Sequence, residues 1–248
     1  MAPTLHDQLL QQLGTGIMTG LFPAGTILLA DQIARDQGVS RPVVREAVRV
    51  LQSLGMVATT KRVGIRVLPS TAWNLYDPLI IRWRLAVGSA GGQLRSLTEL
   101  RSAVEPKAAE MAALFRDDRT AAKLLELSVE MREVGRAGDL TQFLALDIAF
   151  HRLVLAASGN EMFAQLDSVI AEVLTARTEQ GLMPHHPHEE ALELHVRVAE
   201  AIWSQDAAAA HSAMDRIMRR TAAEVSQTWS HLPRPSVLAE APAGTHAA

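Results

Sequence analysis

From residue 5 to residue 54 the apolar positions recur at intervals of three and four, the repeat of one helix face. Leu5, Leu9, Leu10, Leu13 and Ile17 form a first stripe that ends near Gly20. Phe22 to Thr26 then reads as a turn, and Leu28 to Gln37 as a short helix stopped by Gly38. Ser40 is placed to cap a third helix through its hydroxyl, and that helix runs to Leu54 and ends at Gly55. Beyond it the period changes. Val57 to Thr60 and Ile65 to Val67 are β-prone pieces joined by Lys61 to Gly64, which predicts a small hairpin. Helix, helix, turn, helix and hairpin together describe a winged helix.

From Ser89 onward every segment returns to helical spacing, with helices expected over 93–114, 119–136, 139–157, 161–180, 189–204 and 207–229. Asp139 with Gln142 predicts an N-cap with a capping box, and Asp206 a cap on the last helix. The fold class is therefore mainly α: a winged helix-turn-helix over 1–70, a linker over 71–88 and an all-α helical bundle over 89–231. The Pro- and Ala-rich tail, 232–248, is expected to be disordered.

Composition narrows the class. The chain has 248 residues, 48% of them hydrophobic, enough for two ordinary domains with cores. With no cysteine there is no disulfide scaffold or thiolate metal site, which suits a reducing, cytoplasmic setting. No signal peptide is visible, and no apolar run reaches the ~18 residues of a membrane span. The net charge of −3 is distributed unevenly. Residues 1–70 carry seven Lys/Arg against four acids, leaving −6 on the remainder, so a basic module precedes an acidic body.

The basic module has a pattern that suits double-stranded DNA. Arg41, Arg45 and Arg49 recur every four residues on the third helix, opposite the inward positions Val44, Val48 and Leu51. The expected hairpin presents Lys61 and Arg62 at its tip, with Gly64 permitting close approach to the backbone or minor groove. Regularly spaced arginines also solvate helix faces; it is their attachment to a helix-turn-helix and a basic hairpin that points to DNA.

The stretch from Leu28 to Val57, LLADQIARDQGVSRPVVREAVRVLQSLGMV, resembles the winged helix of the GntR family over residues 8–68. The helical remainder looks like the FCD domain of one branch of that family, marked by Glu99-Leu-Arg101, Glu105-Pro106, Asp147, His151, His195 and the run from Ala201 through Asp206 to Met214. The resemblance implies DNA contacts by Ser40, Arg41, Val43, Arg45, Arg62 and Gly64. Where the family usually has Ser-Glu-Arg, this chain has Ala30-Asp31-Gln32, so Gln32 would meet DNA in place of an arginine.

Asp147 and His151 lie on the apolar stripe of the 139–157 helix, beside Phe143, Phe150 and Val154. His195 shares a stripe with Leu192, Ala199 and Ile202. A buried carboxylate needs a partner, and two histidines with one carboxylate inside a bundle suit Zn²⁺, Ni²⁺ or Mn²⁺. The FCD resemblance implies the same three ligands plus a histidine in the last helix, where Ile217 stands; His211 is about 120° away around that helix. Two readings stay open: a three-ligand metal completed by water or an effector carboxylate, or a metal-free polar pocket. The histidines at 185, 186 and 188 fall in a Pro-broken loop and are expected to be solvated.

An anionic effector needs cationic anchors. The resemblance places Arg101 at the effector pocket, and Arg152 and Arg177 are further candidates. The cluster Trp73-Asn-Leu-Tyr-Asp-Pro78 with Trp83, read as a linker helix packed between the domains, is similar to GntR regulators of sugar-acid catabolism of the galactonate type. The expectation is a homodimeric repressor on a near-palindromic operator, controlled by a small carboxylate, with no enzymatic activity.

Overall fold

The computed structural model describes residues 4–87, 90–183, 187–232 and 234. The chain divides into two compact units, one ending at Ala90 and one spanning Gly91–Leu232. In the first unit, α1 (Leu5–Met18), α2 (Ala30–Asp36) and α3 (Arg41–Ser53) combine with strands β1 (Ile27–Leu28), β2 (Val57–Thr60) and β3 (Gly64–Val67). The sheet is antiparallel in the order β1-β3-β2. Its core joins Leu9, Leu13 and Ile17 of α1 to Val44, Val48 and Leu51 of α3 and to Val57, Ile65 and Val67 of the hairpin.

β1 departs from the expectation, which places Leu28 in a helix. Two residues are too few to show alternation; pairing of Ile27 with Arg66 and Leu28 with Ile65 makes them a strand. That pairing also accounts for Gly64. Its φ is +125°, and a Cβ there would lie 2.8 Å from the Leu28 carbonyl oxygen, so the glycine is required inside the sheet itself. At the hairpin tip Arg62 adopts φ +66°, a left-handed conformation that non-glycine residues seldom take.

Ser40 holds the N-cap position of α3, but its side chain makes no capping hydrogen bond, contrary to expectation. Pro42 at N2 has no N–H to donate, which removes one of the two usual capping donors.

α4 (Pro78–Ala86) is started by Pro78 and by the Asp77 carboxylate, which accepts from the Leu79 N–H at 2.9 Å. It packs on α1. Trp83 is buried, donates from Nε1 to Gln11 Oε1 at 2.6 Å, and its ring lies 2.4 Å from where a Cβ on Gly14 would sit. The expected linker helix thus shares the core of the winged helix.

The second unit contains α5 (Ala90–Phe115), α6 (Asp118–Ala137), α7 (Leu140–Ala157), α8 (Glu161–Ala164), α9 (Asp167–Glu179), α10 (Glu189–Trp203) and α11 (Ala207–Val225). Leu124, Met131, Phe150, Val154, Ile170, Val198, Ile202, Met214 and Met218 build its core. The single helix expected over 161–180 is interrupted at Gln165 and Leu166. Asp139 caps α7 through the Gln142 N–H at 3.0 Å, yet the reciprocal half of the capping box is missing because the Gln142 side chain donates to Glu130. Asp206 caps α11 as expected, accepting from Ala209 N–H. By length and mean hydropathy alone α7 is apolar enough to cross a membrane, with Asp147, His151 and Arg152 interrupting its apolar residues. In this fold it is a bundle helix with Phe143, Asp147, Phe150, His151, Val154 and Leu155 buried. The expected disordered tail lies beyond the described residues, apart from Leu232 and Arg234.

Because Trp83 fills space that Gly14 leaves open, truncating it empties the α1–α4 contact. Trp83→Ala is expected to destabilise the first unit by about 3–5 kcal/mol, read as an earlier urea transition of that unit. An unchanged midpoint would place the ring outside the core.

Candidate functional site

α7 sets Asp147 and His151 one turn apart on its buried face, and α10 brings His195 beside them. His151 Nε2 and His195 Nε2 lie 3.3 Å and 3.4 Å from the same oxygen, Asp147 Oδ1. One donor atom from each of the three residues falls within 4.8 Å of the others. Phe150 presses edge-on against both imidazoles, and the two rings stand nearly perpendicular to one another.

Each imidazole is held from behind. His195 Nδ1 lies 2.8 Å from the Ala191 carbonyl, which can only accept, so Nδ1 carries a proton and Nε2 points at Asp147. His151 Nδ1 abuts Glu105 Oε2, and Glu105 Oε1 accepts from Arg101 Nε at 2.5 Å. A chain of alternating charge therefore runs Arg101, Glu105, His151, Asp147, and all four groups are buried. Burial alone would lower the His151 pKa, but the flanking Glu105 and Asp147 carboxylates outweigh it and hold it at about 9. Burial likewise opposes ionisation of Glu105, whose pKa is drawn down to about 2 by Arg101 and His151. Burial opposes ionisation of Asp147 as well, yet the two imidazoles beside its carboxylate hold it well below the carboxylate range.

Arg101, Asp147, His151 and His195 line a cavity between α5, α7, α9, α10 and α11 whose space, open solvent at its mouth included, is about 480 Å³. Arg101 and Arg177 both reach it. Arg177 Nη2 donates to Glu224 Oε2 at 3.1 Å, and burial together with the nearby Arg101 charge lowers its pKa. Arg101 Nη1 and Arg177 Nε have no hydrogen-bond partner among the described residues, while Asp147 Oδ1 and His195 Nε2 meet each other only at ion-pair distance. Donor and acceptor capacity thus stand unspent around one space.

The clustered Asp147, His151 and His195 donor atoms, with both imidazoles oriented by a second layer, fit a divalent ion held by two nitrogens and one oxygen. Ile217 contributes carbon to the cavity wall where a fourth ligand would stand. His211 is exposed and pairs with Glu110, outside the cavity. His188 lines the mouth, while His185 and His186 lie outside the described residues. Arg152 does not join the site. It comes directly after His151 and so projects about 100° away, exposed and paired with Asp167 at 2.6 Å. Sequence reasoning assigned no role to Glu105, Arg220 or Glu224. The i,i+4 spacings Arg101–Glu105 and Arg220–Glu224 were the available signal.

On the first unit, Arg41, Arg45 and Arg49 are exposed along α3. Arg41 pairs with Asp31 of α2, Arg49 with Glu46, and Arg45 has no ion pair among the described residues. Gln32 is exposed on α2, and Lys61 and Arg62 are exposed at the wing tip. Val43 is half-buried and packs against the core, and Gly64 is taken up by β1, so neither is presented as openly as the arginines.

Residues 5–67 match the family model of bacterial regulatory proteins, gntR family, and residues 96–220 match the FCD domain. The HTH-type transcriptional regulator YieP of Escherichia coli is 28% identical over 85% of this chain and 91% of its own length. The galactonate operon transcriptional repressor of the same organism is 27% identical over 84% of this chain and 90% of its own. Among solved structures, Lar of Listeria monocytogenes shares the fold with a TM-score of 0.57 at 16% identity, covering 92% of this chain and 99% of that one. The winged helix, the helical domain with its cavity and these relatives together assign the chain to the GntR family of bacterial transcription regulators, with an FCD effector-binding domain.

Proposed function

We propose that the chain is a repressor that binds a near-palindromic operator as a homodimer in the cytoplasm and releases it when a small carboxylate enters the helical-domain cavity. The observation that carries this reading is the cavity where Arg101 and Arg177 donors without a hydrogen-bond partner line the same space as the Asp147, His151 and His195 cluster. An effector carboxylate would accept from the two guanidinium groups, while Ile217 and Phe143 supply an apolar side. A sugar acid is the favoured class, supported by the galactonate operon repressor among the relatives. Zn²⁺, Ni²⁺ or Mn²⁺ would be held by Asp147, His151 and His195, and when bound would offer a Lewis-acidic position to an effector oxygen. Glu105 and the Ala191 carbonyl keep the two imidazoles turned toward that position. In the first unit, Arg45 and its neighbours on α3 read base edges, and Lys61 and Arg62 hold phosphates.

A metal-free pocket is the second reading, and one observation favours it. With His151 held at about 9, its imidazolium is itself a cation between Glu105 and Asp147.

A thermal-shift screen against sugar acids and small carboxylates, with and without EDTA, tests the sensor. A stabilising ligand lost in EDTA supports both parts; one indifferent to EDTA removes the metal and keeps the sensor; no stabilisation by any acid sinks the sensor. Arg45→Ala is expected to lower operator affinity at least tenfold while ligand-induced stabilisation persists, measured by fluorescence anisotropy beside the thermal shift. Loss of both in a folded variant would contradict separate modules.

The two cation readings separate by proton counting. Adding Zn²⁺ to EDTA-treated protein at pH 7 is expected to release about one proton, the one on His151, read from calorimetry in buffers of different ionisation enthalpy. Without metal, His151 contributes stability that is fully present below its unfolded pKa of 6.5 and is lost as pH rises through about 9. EDTA-treated protein should therefore melt progressively earlier from pH 7 to pH 10, with the metal-loaded form changing less. Equal pH profiles would argue against the protonated pair.

A further inference from the structure

Arg41 opens α3, and its guanidinium is clamped side-on by a residue of the preceding helix. Nε donates toward Asp31 Oδ1 at 2.9 Å and Nη2 toward Asp31 Oδ2 at 3.0 Å. This fork–fork pair spans the turn between α2 and α3, with the Arg41 side chain 74% exposed and that of Asp31 55% exposed. An exposed ion pair adds little to folding, and freezing an arginine side chain has an entropic cost, so stability does not explain the arrangement. The geometry explains it better. A guanidinium has five N–H donors in a fixed plane; the carboxylate uses Nε–H and one Nη2–H, leaving the end-on edge of Nη1 and Nη2 free. That edge presents two parallel donors, the pattern that matches O6 and N7 of a guanine in the major groove. No comparable clamp acts on Arg45, which has no ion pair among the described residues, while Arg49 is paired to Glu46 within its own helix.

We propose that Asp31 is a positioning residue for base recognition: it preorganises Arg41 to read one guanine per half-site. The proposal rests on the reading of α3 as the base-reading helix. Holding the arginine in its bound rotamer before binding moves an ordering cost from the complex into the free protein. A second consequence is a sign that a simple structural role would not produce. Asp31 is an anion on a surface that meets phosphates, so removing it should raise affinity for random DNA while lowering base preference.

The test uses the full chain and a library of randomised duplexes, with enriched sequences read after selection. The wild type is expected to enrich a two-fold motif, and Arg41→Ala to lose the preference at one position in each half. Asp31→Ala and Asp31→Asn are expected to lose the preference at that same position by a factor of roughly ten to a hundred. Their binding to a fixed random duplex at low salt should strengthen, and Asp31→Glu should restore the preference. Thermal melts of the variants, taken alongside, are expected to match the wild type because the pair is exposed. If Asp31→Ala and Asp31→Asn keep the wild-type motif at every position, Asp31 does not position Arg41 and the proposal falls. If the wild type itself enriches no motif, the reading of α3 falls first and the proposal with it.

Discussion

A carboxylate buried on the apolar stripe of a bundle helix must be neutralised, and the helical domain is organised around meeting that requirement for Asp147. The charge cannot be answered from α7 alone, because His151 one turn away is itself buried and needs an anion of its own. Glu105 supplies that anion and in turn requires Arg101. The compensation therefore reaches across α5, α7 and α10, while Arg177 and Glu224 form a second pair that lines the same cavity. The Glu105–His151 and Arg177–Glu224 pairs each tie two helices together, and Arg101, His151, Arg177 and Glu224 all line the same space. The polar pocket and the packing of the bundle are in this sense one structure.

The winged helix solves a different problem. Its core is small, and it gains surface by close approach rather than by bulk: Trp83 lies where Gly14 has no side chain, and β1 lies against Gly64. Such contacts leave α3 with an inward face that is wholly apolar and an outward face that is basic, so the basic surface owes its rigidity to residues that never leave the interior.

Much of this was legible in the residues. The apolar stripes of α1 and α3, the strand-turn-strand pattern after Gly55 and the polar pair on the α7 stripe all emerge from period alone. The features that escaped have physical reasons. β1 is too short to carry a pattern and exists only because β3 offers a free edge. Ser40 sits at the N-cap without a side-chain bond where Pro42, two residues on, lacks one of the two usual backbone donors, and the Asp139 capping box stays half-formed because Gln142 has a partner on α6. Arg152 was a candidate by its charge alone, but as the residue next to His151 it faces away from the site, since adjacent helical residues face apart. Glu105 was visible as a residue but not as a partner, since its meeting with His151 depends on how two helices distant in sequence cross.

The conformation of Arg62 has a bearing on how such a protein changes over time. A cation at the wing tip is kept at a backbone angle that glycine or asparagine would occupy with less strain. Selection for thermal robustness alone would replace it, and each replacement would remove a positive charge from the tip. Robustness and positive charge at the tip are thus set against each other at one residue. A lineage that retains arginine there records which of the two demands has governed it.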